Sequence, residues 1–89
     1  MITGTDVSSH QPDWKPAASD SFCFIKASEG HTYASPTLPD RGGQVAAARA
    51  ANLVVGFYHF LWPGDPTLQA QWFERTIRPY AVNKDLLVV

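Results

Sequence analysis

The strongest constraint on this chain is the alternation of two kinds of segment along it. Phe22-Cys23-Phe24-Ile25-Lys26-Ala27, Leu53 to Phe60 and Asp85-Leu86-Leu87-Val88-Val89 are dense apolar, β-branched and aromatic runs of strand length. The middle run predicts a strand buried on both faces, and the last a fourth buried strand at the chain end. Ile2 to Val7 reads as a first strand that runs into the polar loop Ser8-Ser9-His10. Between the strands lie helix signals. Asp13 to Ala18 is a weak, short one with Pro16 in its first turn. Thr37-Leu38-Pro39-Asp40 opens a second, which Val45 to Ala51 continue despite Gly42 and Gly43 and which Asn52 stops. After the turn Trp62-Pro63-Gly64, Asp65-Pro66 opens a third helix, with Leu68, Trp72, Phe73 and Ile77 on one face and Pro79 as its stop. No hairpin signal interrupts this order. It predicts β-α-β-α-β-α-β, a parallel sheet with right-handed crossovers in one α/β unit over residues 1–89.

Length limits how far that pattern can go. The chain has 89 residues, enough for one modest core but short of the roughly 200 or more that a complete eight-stranded β/α barrel needs. Seven Lys plus Arg against eight Asp plus Glu give a net charge of −1, with no basic run to attract nucleic acid or an anionic membrane. No apolar stretch approaches the roughly 18 to 20 residues of a spanning helix. Met1 leads straight into Ile2-Thr3-Gly4-Thr5-Asp6, which lacks the pattern of a signal peptide. Cys23 is the single cysteine, which excludes an internal disulfide and reads as a small buried hydrophobe. His10, His31 and His59 with Asp6 have no close-spaced ligand pair, so no metal and no cofactor is expected.

In parallel α/β sheets the ligand site lies at the carboxyl ends of the strands. That rule selects Asp6, Ser8 and His10 after the first strand. It selects Lys26, Ser28, Glu29 and His31 after the second, and Tyr58, His59 and Trp62 after the third. Carboxylates, hydroxyls and aromatic faces in one cleft suit sugars, whose hydroxyls need polar partners and whose C–H faces stack on rings. Structural roles compete for the same residues. Asp6 can orient a turn, Glu29 can pair with Lys26, and Tyr58 and His59 alternate along a strand, so only one of them faces the barrel interior. Trp14, Trp62 and Trp72 read mostly as core, with Trp62, in its loop, best placed as a sugar platform.

Three motifs add a resemblance. Gly4-Thr5-Asp6-Val7-Ser8-Ser9-His10-Gln11, then Phe24-Ile25-Lys26-Ala27-Ser28-Glu29-Gly30, then Val55-Gly56-Phe57-Tyr58-His59-Phe60 with Trp62-Pro63-Gly64, occur in order. Together they resemble successive signatures of the family 25 glycoside hydrolases, the lysozymes or N-acetylmuramidases of bacteria, fungi and phages. The resemblance implies an irregular, TIM-like β/α barrel, of which this chain holds about the first four β/α units. It also implies hydrolysis of the β-1,4 bond between N-acetylmuramic acid and N-acetylglucosamine in peptidoglycan. Asp6 matches the acidic residue at the end of strand one in the catalytic carboxylate cluster, and Glu29 an acidic loop position in the same cleft. Tyr58 and His59 match residues lining it, and Ser8, Lys26 and Trp62 are taken with them as substrate-binding. The family's Asp-x-Glu motif, whose Glu is its general acid, is expected just past Leu86-Leu87-Val88-Val89, where the chain stops.

Two expectations follow. As a muramidase part, the chain acts at the bacterial cell wall after cytoplasmic accumulation, as an endolysin does. As a non-catalytic half barrel, it binds glycan or a complementary chain, and its open sheet edges invite self-association.

Overall fold

The computed structural model describes residues 2–37 and 43–88. Its frame is a sheet in which β1 (Thr3–Val7), β2 (Asp20–Glu29), β4 (Val54–Phe60) and β5 (Leu86–Val88) lie side by side and parallel in the order β1-β2-β4-β5. A two-residue β3 (Tyr33–Ala34) pairs antiparallel with the end of β2. Helices α1 (Gln44–Ala50) and α2 (Pro66–Ile77) make the crossovers before and after β4. Mixed α/β architecture with a parallel sheet is therefore present as expected.

The core lies between the sheet and the helices. Cys23, Ile25, Ala27, Val55 and Phe57 point to that face and are at most 1% exposed, with Val45, Ala48, Phe73 and Ile77 packed over them. The opposite face carries Phe22, Phe24, Gly56, Tyr58 and Phe60, which alternate with the core residues as the pleat requires. No second layer covers this face among the described residues, so Val54 and Phe60 are more than half exposed. The expectation that this strand is buried on both faces therefore holds only for its middle.

Several local expectations change. Residues 13–18 form no helix but an irregular stretch between two turns. The Asp20 carboxylate accepts the Ala17 N–H, and Trp14 N–H bonds Gln11 C=O. Six residues with a proline among them cannot offset the cost of nucleating a helix when turns satisfy the same groups. A hairpin is present after all. Gly30, at φ +58°, reverses β2 through the three-residue loop Gly30-His31-Thr32, so that Glu29 faces Tyr33. Helix α1 begins at Gln44, capped by Gly43 without a side-chain bond, and Thr37 reaches it through its carbonyl, which accepts Gln44 N–H at 2.9 Å. The expected start at Leu38-Pro39-Asp40 lies outside the described residues. Asn52 sits at φ +60°, the left-handed stop expected of it.

Helix α2 follows its sequence signals closely. The Asp65 carboxylate accepts Thr67 and Leu68 N–H, Pro66 occupies the first turn, and Arg78 caps the end just before Pro79. Its buried face is Gln69, Phe73 and Ile77. Leu68, expected there, is 48% exposed, and polar Gln69 takes the inward position because it is bonded to the end of β4. The fourth strand is exposed rather than buried: Leu86, Leu87 and Val88 are 49%, 60% and 43% accessible, since β5 has only β4 beside it among the described residues. Its anchor is polar. Arg49 on α1 holds the Asp85 carboxylate with two bonds of 2.8 and 2.6 Å and also donates to Tyr80 C=O.

Candidate active site

A single irregularity in β2 shapes the site. Between Lys26 and Ser28 the pairing with β4 slips by one residue, a β-bulge at Ala27. In a regular strand, residues three apart face opposite ways. The bulge turns both Ala27 and Ser28, each fully buried, toward the helices, and so leaves Lys26 and Glu29 together on the open face. There the Lys26 ammonium donates to the Glu29 carboxylate. It also lies 4.2 Å from the centre of the Phe60 ring and 5.2 Å from that of Tyr33. This hydrogen bond, opposed by partial burial and helped by the Lys26 charge and the Trp62 indole, holds the Glu29 carboxyl below its ordinary pKa.

Beside this pair a cleft of about 560 Å³ opens above the strand ends, lined by Asp6, Phe24, Tyr58, His59, Phe60, Leu61 and Val88. Asp6 is exposed and aligned with Phe24 on the neighbouring strand. Tyr58 reaches across β2 to donate its phenol to Val7 C=O at 3.1 Å, beside Asp6. Burial first, then the Asp6 charge, push the Tyr58 pKa up, so the phenol stays a donor at neutral pH. Gly56 makes room for the Phe24 ring that floors the cleft: a Cβ there would stand 2.3 Å from Phe24 Cδ1.

Not every selected residue enters this cleft by its side chain. His59 turns to the helix side, where its ring bonds Ser28 Oγ at 2.8 Å and Gln69 Oε1 at 2.9 Å. Between the two alternatives, then, Tyr58 is the residue facing the open side. Ser8 is buried within its own loop: its hydroxyl accepts His10 N–H, its N–H bonds Gln11 Oε1, and its carbonyl accepts Gln44 Nε2 at 2.7 Å. Trp62 is 57% exposed and lies over Gly30, where a Cβ would touch its ring at 3.5 Å. His10 and His31 are exposed. Trp14 and Trp72 are half-buried, and the Trp72 indole donates to Tyr33 C=O. Burial pushes the Cys23 thiol up to about 11, which makes it unreactive. Among the described residues no group of three or more His, Cys, Asp or Glu side chains could hold a metal ion.

Sequence reasoning passed over Phe24 and Phe60 as walls of the cleft, and Gln44 and Gln69 as the polar ties behind it. The glutamines left a signal, since each is a lone polar residue where a helix turns to the core.

The parallel sheet gathers an exposed carboxylate, an ion pair and aromatic rings at its strand ends, where α/β proteins place their ligand sites. The family model for the glycosyl hydrolases family 25 matches residues 5–89, and the chain belongs to that family. Among its relatives, the N,O-diacetylmuramidase of Chalaropsis sp. is 35% identical over 74 residues, 79% of this chain and 35% of its own length. The autolytic lysozyme of Clostridium acetobutylicum is 44% identical over 54 residues, 61% of this chain and 16% of its own. Similar solved structures include a muramidase from Trichobolus zukalii, with a TM-score of 0.73 at 32% identity over 84% of this chain and 38% of that one. A bacterial lysozyme from Streptomyces coelicolor has a TM-score of 0.77 at 28% identity, over 99% and 42% respectively. The chain thus spans less than half the length of each of these relatives.

Proposed function

We propose that these residues form the first β/α units of a muramidase barrel, which hydrolyses the β-1,4 bond between N-acetylmuramic acid and N-acetylglucosamine in peptidoglycan at the bacterial cell wall. The observation that carries this reading is the placement of Asp6 and Tyr58 in one cleft beside the Lys26–Glu29 pair, at the strand ends, in a chain of this family. Glycoside hydrolysis needs a proton donor and a second carboxylate flanking the scissile bond. Asp6, exposed and in no ion pair among the described residues, is the carboxylate that faces the positive charge developing at the sugar. Glu29, held ionised by Lys26, is the second acid, beside this cleft. The proton donor is expected just after β5, whose Val88 lines the same cleft beside Tyr58. Trp62 is the stacking platform, and Tyr58 and Lys26 supply polar contacts. His59 and Ser8 serve binding from behind, by fixing the loops that carry these groups.

The test is lysis. In the protein that carries these residues, Asp6→Asn should cut the clearing of a peptidoglycan suspension by about 10²-fold or more, with unchanged circular dichroism. Lysis by Asp6→Asn at the unsubstituted rate refutes the assignment of Asp6. Glycan binding without any release of reducing ends favours a non-catalytic glycan module.

A further inference from the structure

The residues His59 and Gln69 belong to a chain of buried polar groups that runs behind the cleft. Ser28, His59 and Gln69 are 0%, 4% and 3% exposed. Gln69 on α2 reaches the loop after β4 and grips one residue twice: its Oε1 accepts Trp62 N–H at 3.0 Å and its Nε2 donates to Trp62 C=O at 2.8 Å. An N–H can only donate and a carbonyl can only accept, so this pair of hydrogen bonds fixes which end of the Gln69 amide is which. The same Oε1 lies 2.9 Å from His59 Nε2, which must therefore carry a hydrogen. Nδ1 of a neutral ring is then an acceptor, and Ser28 Oγ, 2.8 Å away, donates to it. Every member has a partner: with the ring neutral Ser28 donates to His59, His59 donates to Gln69 Oε1, and Gln69 and the Trp62 main chain donate to each other. A closed network of this kind holds a single geometry.

We infer that Gln69, set by His59 and Ser28, is the positioning residue that holds Trp62 in place as a glycan-stacking platform beside the cleft. The inference rests on the muramidase reading for the identity of the ligand. The clamp itself rests on hydrogen bonds alone. An exposed indole in a loop of Trp62, Pro63 and Gly64 would otherwise sample several orientations, and each would cost binding, because stacking requires the ring to be in place beforehand. With its main chain gripped on both sides and its ring over Gly30, the indole is held in one orientation beside the Lys26–Glu29 pair.

Three measurements on the protein carrying these residues test this. In a long-range proton–nitrogen spectrum of the unsubstituted protein near neutral pH, His59 Nε2 should carry a hydrogen; a bare Nε2 overturns the network. Gln69→Met fills the same volume without polar atoms. It should speed hydrogen exchange at the Trp62 amide by about 10-fold or more and raise KM for soluble glycan about 10-fold, with kcat within about twofold. Should Gln69→Met fail to fold, Gln69→Glu keeps the acceptor for His59 and Trp62 N–H but sets an oxygen against Trp62 C=O, and the same split is expected. Unchanged exchange and KM, or equal losses in kcat and KM, overturn the positioning role. If the unsubstituted protein neither binds nor cleaves glycan, the muramidase reading fails. The tautomer and the Trp62 exchange rate still decide whether the clamp exists.

Discussion

Removing the Asp85 carboxylate should release β5, and the structure sets the size of the effect. Asp85 has a side chain 1% exposed, and its two oxygens take three hydrogen bonds: Arg49 at 2.8 and 2.6 Å and Val82 N–H at 2.8 Å. Taking one partner from a buried ion pair costs about 3–5 kcal/mol. Arg49, however, is 28% exposed and keeps Tyr80 C=O, so it recovers part of its solvation, and we place Asp85→Ala at about 3 kcal/mol. In a domain of this size that corresponds to a drop in Tm of roughly 12–24 °C. Asp85→Asn, which keeps the shape and loses the charge, should cost about half as much. Urea and thermal unfolding measure both. The pH dependence supplies a sign. Burial pulls the Asp85 carboxyl up, but Arg49, the Val82 N–H and the nearby Lys84 charge outweigh it and hold the pKa below the ordinary value. The stabilisation is therefore complete above the unfolded pKa of about 3.9 and is lost as pH falls through the lower folded value. The difference between the native protein and Asp85→Asn should shrink below about pH 4. A loss under about 0.5 kcal/mol for Asp85→Ala, or a difference that widens in acid, refutes the reasoning.

Three further outcomes are expected. Gly56→Ala, whose Cβ would meet Phe24 at 2.3 Å, should cost about 1–3 kcal/mol and weaken glycan binding by displacing the cleft floor; full retention of both would show that Phe24 moves freely. Lys26→Met removes the hydrogen bond that holds Glu29 ionised, so carbon NMR should find the Glu29 carboxyl titrating at higher pH than in the native protein. An unmoved titration would place the cause elsewhere. Alone, the 89 residues should self-associate at tens of micromolar, roughly, through the exposed β5 edge; Leu87→Lys, at a position 60% exposed, should reduce that in sedimentation. A native chain that sediments only as monomer refutes it.

The architecture was legible in the sequence wherever one local pattern had a single cheap solution. Phe22 to Ala27 and Leu53 to Phe60 are apolar runs of strand length that a parallel sheet satisfies, with one face on the core. Asp65-Pro66 and Asn52 are cap residues whose physics is complete within one turn. The strand-end rule brought Asp6, Lys26, Glu29, Tyr58 and Trp62 to notice without knowledge of any contact. What tertiary structure decided were the matters that depend on a partner distant in sequence. Whether Tyr58 or His59 faces the cleft turns on the register with β2 and on Gln69, ten residues beyond His59 and on another element. The bulge at Ala27, which puts Lys26 and Glu29 on one face, exists only in the pairing with β4. The exposure of β5 is likewise invisible in Leu86-Leu87-Val88, because a strand's own residues state that it wants burial and not what lies beside it. Periodicity records the local demand of each segment; the chain's three-dimensional neighbours determine how that demand is met.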